Sequence, residues 1–106
     1  MTKERLRAYR ELKAENAQIK ELLEAAVNDE LRLHYSSLLE KLEKEQLEIE
    51  RAIDTLDMRE RTLMRCYYIE GQTWEEVCDT MYYSWSQVHR VHAAALIKLK
   101  NMEAEV

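Results

Sequence analysis

An all-α fold is predicted by three observations on this 106-residue chain. Proline is absent, glycine occurs once, and apolar residues recur at helical spacing over most of the length. Without proline and with Gly71 alone, no residue interrupts a helix outright, and the recurrent spacing collects apolar side chains on one face of each helix. The length suits one domain, or one small domain with an extension, and leaves little room for a large catalytic core. The natural division is a helical coiled-coil or oligomerisation region at 1–56 and a compact helical module at 57–106.

The first helix is expected from Lys3 to Ala26, with Leu6, Tyr9, Leu12, Ile19, Leu22, Leu23 and Ala26 on its apolar side. Asn28-Asp29 interrupts it and supplies a cap for a second helix, because these side chains satisfy free N–H groups at a helix start. That helix is expected to reach Leu56. Its Leu31, Tyr35, Leu38, Leu42, Ile49, Ala52 and Leu56 follow alternating a and d heptad positions, with Glu45 the polar exception and Leu39, Gln46 and Ile53 on the flank. Two arrangements satisfy so wide a stripe: a hairpin within one chain, or pairing with a second copy. Dimerisation or higher homo-oligomerisation is the expected role of the region.

A third helix is expected over Met58 to Glu70, with Leu63, Cys66 and either Ile69 or Tyr67 turned inward. Gly71 then suits a C′ position in the left-handed conformation. Two capping boxes follow eleven residues apart, Thr73-Trp74-Glu75-Glu76 and Ser84-Trp85-Ser86-Gln87. They start a short helix with Trp74, Val77, Cys78 and Met81 inside and a long one with Val88, Val91, His92, Ala95 and Leu99 inside, Trp85 lying at its margin. Helix, turn, short helix, turn, long helix is the helix-turn-helix order, in which the last helix enters a DNA major groove.

Net charge is −5, from 16 Lys and Arg against 21 Asp and Glu, which argues against indiscriminate coating of nucleic acid. From Ser84 to Met102, however, the only ionised side chains are Arg90, Lys98 and Lys100, with His89 and His92 beside them. A local basic stripe on an acidic body suits site-selective binding of double-stranded DNA. The candidate DNA-contacting residues are Ser84, Ser86, Gln87, His89, Arg90 and Lys98. Ser86, Gln87, His89 and Arg90 cluster in the first turns of the last helix, where Arg90 can fork onto guanine and Gln87 onto adenine. Lys98 and Lys100 suit either phosphates or simply a helix C-terminus, the second use being the commoner one. Ile97 breaks the polar face and is expected to pack on the N-terminal helices or on a partner.

The run Arg61 to Val77, including Tyr68-Ile69-Glu70-Gly71 and Trp74-Glu75-Glu76-Val77, then Tyr83-Ser84, Val88 to His92 and Ala95-Leu96, resembles phage-encoded regulators of the ArpU and RinA type. Those are similar to region 4 of bacterial sigma factors. The resemblance covers the chain from Arg61 onward, the N-terminal helices agreeing only in kind. It implies transcriptional regulation in a phage or prophage, a bacterial cytoplasmic location and a possible contact with host RNA polymerase. Two departures weaken the implied DNA contacts: Tyr67 stands where the family commonly has Arg, and Ser86 where a basic residue is common. Cys66 and Cys78 replace small or aliphatic core residues.

Other chemistry finds little footing. Two cysteines and no apolar leader are expected of reduced thiols in a cytosol, and the longest apolar runs fall far short of the ~20 residues that span a bilayer. Cys66, Cys78, His89 and His92 lack zinc-site spacing, so no metal and no cofactor are expected. His92 is better read as a core-edge imidazole bonded to a backbone group or stacked near Trp85. Tyr67, Tyr68, Tyr82 and Tyr83 read as core edge before base-stacking platform. No phosphate loop or nucleophile set supports an enzyme. Two other functions keep the same elements: a small terminase-like DNA-packaging subunit, and a helical protein-interaction module that no longer binds DNA.

Overall fold

Helices account for nearly all of the backbone in the computed structural model, which describes residues 1–104. They are α1 (Lys3–Ala25), α2 (Asp29–Asp54), α3 (Met58–Met64), a π-helical segment (Arg65–Ile69), α4 (Trp74–Met81) and α5 (Trp85–Ala104), with no strand among the described residues. Each α-helix starts where a short polar side chain can accept from its first turn. Thr2 accepts from the Arg5 N–H at 3.3 Å, Asn28 from Leu31 at 2.9 Å and Asp57 from Glu60 at 2.9 Å. Thr73 and Ser84 head reciprocal boxes with Glu76 and Gln87.

α1 and α2 fold back on each other within the one chain, and Arg5 bridges Glu48 across the pair at 2.9 Å. Near the open end of this hairpin the two helices join a hydrophobic core continuous with the C-terminal elements. Leu6 and Tyr9 of α1 and Ile49 and Ile53 of α2 lie in the same cluster as Leu63, Met64, Tyr68, Val77, Val88, Ala95 and Leu99. The hairpin outruns that core, which makes the molecule 54 × 34 × 19 Å. Beyond it only Asn16, Ile19 and Ala26 are buried, while Leu22, Val27, Leu31 and Leu33 remain exposed. Within one chain the distal leucines therefore lack the cover that their spacing calls for.

The single helix expected over Met58 to Glu70 is instead two pieces. The Glu70 N–H donates to the Arg65 carbonyl at 2.9 Å, a bond one residue longer than the α-helical one, so the last turn is wider. The wider turn shifts the register. Leu63 and Cys66 are buried as expected and Tyr68 becomes buried with them, whereas Tyr67 and Ile69, the two alternatives for a third inward position, are only half-buried. Gly71 closes the segment with φ 74°, and the Gln72 N–H donates to the Cys66 carbonyl at 3.0 Å, as the C-cap reading anticipated.

The turn between α4 and α5 uses a less permissive residue. Tyr82 has φ 57° and ψ 40°, left-handed values that glycine adopts without strain, and its side chain is 95 % exposed. Because little packing is lost, Tyr82→Gly is expected to stabilise the fold by roughly 0.5–1 kcal/mol, relief of strain outweighing the added freedom of the unfolded chain. A urea titration showing a lower midpoint would count against that balance.

Candidate nucleic-acid interface

α5 is positioned from both sides. Its inner face, Val88, His92, Ala95 and Leu99, is buried as the helical spacing required. On one flank Lys98 reaches back to α3, where its ammonium donates to Glu60 at 2.8 Å and lies 3.6 Å from Asp57. Glu60 is buried at 4 % exposure, and the nearby ammonium satisfies a carboxylate that would otherwise be stranded. Lys98 in turn has its pKa raised by Glu60, and the backbone N–H of Glu60 holds the Asp57 carboxyl below its ordinary value.

The other flank is an aromatic and imidazole stack. Tyr67 lies flat on Trp74 with ring centroids 3.8 Å apart. His92 sits 4.7 Å from Trp74, and its Nε2 is 2.7 Å from the Tyr68 hydroxyl. With the Tyr68 pKa pushed up to about 12 by burial and that of His92 pushed down to about 4, mainly by burial, the phenol donates to a neutral ring. This corrects the expectation of a backbone bond or a Trp85 contact for His92: its partners are Tyr68, in the π-helical segment, and Trp74 of α4. Cys66 is buried beneath, its thiol pKa raised by burial and by Glu70.

The candidate contact residues fare unequally. Ser86 and Arg90 are exposed on the outer face of α5, and Arg90 makes no ion pair among the described residues. It borders a cavity of about 360 Å³ shared with Arg59, Tyr83, Gln87 and the α3 N-terminus. Ser84 and Gln87 hold each other: the Ser84 N–H donates to Gln87 Oε1 at 2.8 Å, and the Gln87 N–H donates to Ser84 Oγ at 3.2 Å. A two-point contact of Gln87 with adenine needs that oxygen released. His89 is turned toward indoles, 4.8 Å from Trp74 and 4.5 Å from Trp85, with its Nε2 enclosed and unpartnered. Lys98 is engaged with Glu60. The six candidates thus divide into two outward side chains, a capping pair, and two side chains engaged within the fold. Ile97 is 61 % exposed, so of its two expected covers the N-terminal helices of its own chain do not supply one.

These elements, from the end of α2 through α5, are also the part of the chain with recognisable relatives. Residues 52–101 match the family described as Sigma-70, region 4. That region is a DNA-binding helix-turn-helix fold, and the match suggests the same role for residues 52–101, with α4 and α5 as the helix pair. No curated protein and no solved structure matches the chain. Within these elements the sequence did not reveal Glu60 as the anchor for α5 or Tyr68 as the partner of His92. Each is separated from its partner by tens of residues, and local spacing carries no signal for such pairs. No helix is long and apolar enough to cross a membrane, and no cluster of potential metal ligands occurs among the described residues.

Proposed function

We propose that this chain is a sequence-specific transcriptional regulator of phage or prophage origin, working in the bacterial cytoplasm. The observation that carries the reading is Arg90, exposed and without an ion pair among the described residues, on the outer face of a helix whose start, inner face and flank are all fixed by other contacts. A guanidinium held this way forks onto guanine with little loss of freedom. Ser86 adds a short polar contact beside it, and Ser84 and Gln87 fix the helix start, with Gln87 reaching adenine when its cap bond opens. His89 orients Trp85, and Lys98 anchors α5. The phage assignment rests on the resemblance of the Arg61 to Leu96 run to ArpU- and RinA-type regulators, and the region 4 match favours host RNA polymerase as a further partner.

The active form is a dimer through the distal hairpin. A second copy covers Leu22, Leu31, Leu33 and Val27, and pairing two readers supplies the affinity that one helix-turn-helix lacks. Light scattering tests the stoichiometry: a dimer fits regulation, whereas a ring of many chains points to a DNA-packaging subunit.

Binding to fragments of the source genome at two salt concentrations tests the function. Selective, salt-sensitive binding is expected. Arg90→Ala is expected to lose roughly 1–3 kcal/mol at one or two base positions. Equal loss on every sequence would make Arg90 a phosphate contact, and no binding even at low salt would remove DNA from the reading.

A further inference from the structure

The matched stretch, residues 52–101, is short of positive charge. Its cations are Arg59, Arg61, Arg65, Arg90, Lys98 and Lys100, against the acids Asp54, Asp57, Glu60, Glu70, Glu75, Glu76 and Asp79. Arg65 is paired with Asp54, and Lys98 is held by Glu60 and Asp57. Duplex DNA carries a phosphate charge every ~1.7 Å along its axis, and most affinity comes from cations set against it. Among the described residues α5 offers only Arg90 and, near its far end, Lys100 as exposed cations outside these pairs.

The opening turns of α1 have the opposite balance, with Lys3, Arg5, Arg7, Arg10 and Lys13 against Glu4 and Glu11. At about 100° per residue, Lys3, Arg7 and Arg10 fall within about 60° of one another, while Glu4 and Glu11 lie about 40–60° beyond Arg7 on the other side. The basic flank is the one turned toward that stretch. Arg7 and Arg10 line a groove of about 350 Å³ with Tyr67, Gly71, Gln72 and Thr73, the last being the cap of α4. Arg10 lies directly over Gly71, where an added Cβ would come within 2.1 Å of its Nη1, so the glycine leaves room for the guanidinium. Lys3 shares a neighbouring cavity with Leu96 and Lys100 of α5. All three cations are exposed, and none makes an ion pair among the described residues.

We propose that Arg7 and Arg10, with Lys3 beside them, bind the phosphodiester backbone of DNA next to the bases read by α5. The proposal rests on the DNA-binding reading of α5 and assigns the hairpin a part in it. Guanidinium groups hold phosphate oxygens through paired N–H donors, and such contacts fix register and add affinity without reading sequence. The groove lies beside Thr73 and Tyr67, and Tyr67 stacks on Trp74, which contacts His89 of α5. The basic flank therefore borders the side of α5 that carries His89, Leu96 and Lys100. Selectivity then comes from α5 and electrostatic affinity from α1.

Equilibrium binding of the full chain to random-sequence DNA duplexes and to its tightest genomic fragment, over a series of salt concentrations, tests this. The double variant Arg7→Ala/Arg10→Ala is expected to weaken all duplexes by the same factor, roughly tenfold, and to make the log K against log salt slope shallower by about two. Arg7→Lys/Arg10→Lys is expected to restore the slope, because it keeps the charges. An unchanged slope in the alanine variant, with the wild type still binding, overturns this inference and leaves the α5 reading standing. So does weaker binding that tracks a lowered unfolding midpoint and is not rescued by lysine, since Arg10 would then serve only the C-terminus of the π-helical segment. Failure of the wild type to bind any duplex at low salt overturns both.

Discussion

Leu6→Ala is expected to destabilise the whole chain by about 3 kcal/mol, although the residue lies far in sequence from the C-terminal module at 57–106. Leu6 is fully buried, and its cluster includes Leu63, Val88 and Leu99 from α3 and α5. Truncating it opens a cavity in a core that both halves share, and well-packed surroundings relax only partly around such a gap. Both tryptophans, Trp74 and Trp85, belong to the module, so fluorescence follows that half while far-UV circular dichroism follows all helices. In a urea titration both signals are expected to shift together with an unchanged slope. A fluorescence midpoint left in place while helicity is lost earlier would show that 1–56 and 57–106 unfold as separate units.

The second large effect is a loss of stability in acid that runs through His92. Its folded pKa, about 4, lies below the ordinary value of 6.5, chiefly through burial and further through the positive charges of Lys3, His89 and Arg7. The unfolded chain therefore binds the proton more readily. Stability from the neutral ring is fully present above pH 6.5 and is lost as the pH falls toward 4, by about 2–3 kcal/mol in all. Protonation also sets a cation against the Tyr68 hydroxyl, which now donates to Nε2. Carboxylates titrate over the same range, so the comparison is with His92→Gln. The stability difference between wild type and this variant is expected to shrink by that amount between pH 7 and pH 4. A constant difference would mean that the imidazole charges as easily in the folded chain as in the unfolded one.

Both predictions depend on contacts that differ sharply in how visible they were. The buried face of α5 followed directly from residue spacing, and so did the starts of α2, α4 and α5, because Asn28, Thr73 and Ser84 act within three residues of themselves. The candidate interface was only half visible. Spacing put Ser86 and Arg90 outside with His89 at their side, yet it could not show that His89 turns to Trp74 or that Lys98 engages Glu60. The basic flank of α1 was present in the sequence as Lys3, Arg7 and Arg10 at helical intervals. Its relevance became apparent only when Gly71 and Thr73 were found beside it.

The amino-acid order by itself determined the all-α class, the turn at Asn28, the two capping boxes and the inward face of α5. Those are short-range matters, decided by side chains bonding to nearby backbone and by a fixed angle per residue. The tertiary structure decided the rest. It paired α1 with α2 inside one chain, widened the turn at Arg65–Ile69 so that Tyr68 meets His92, and gave Lys98 to Glu60. A buried carboxylate or imidazole takes whichever complementary group the packed helices bring within reach, and that group lies wherever the fold, not the neighbouring sequence, has placed it.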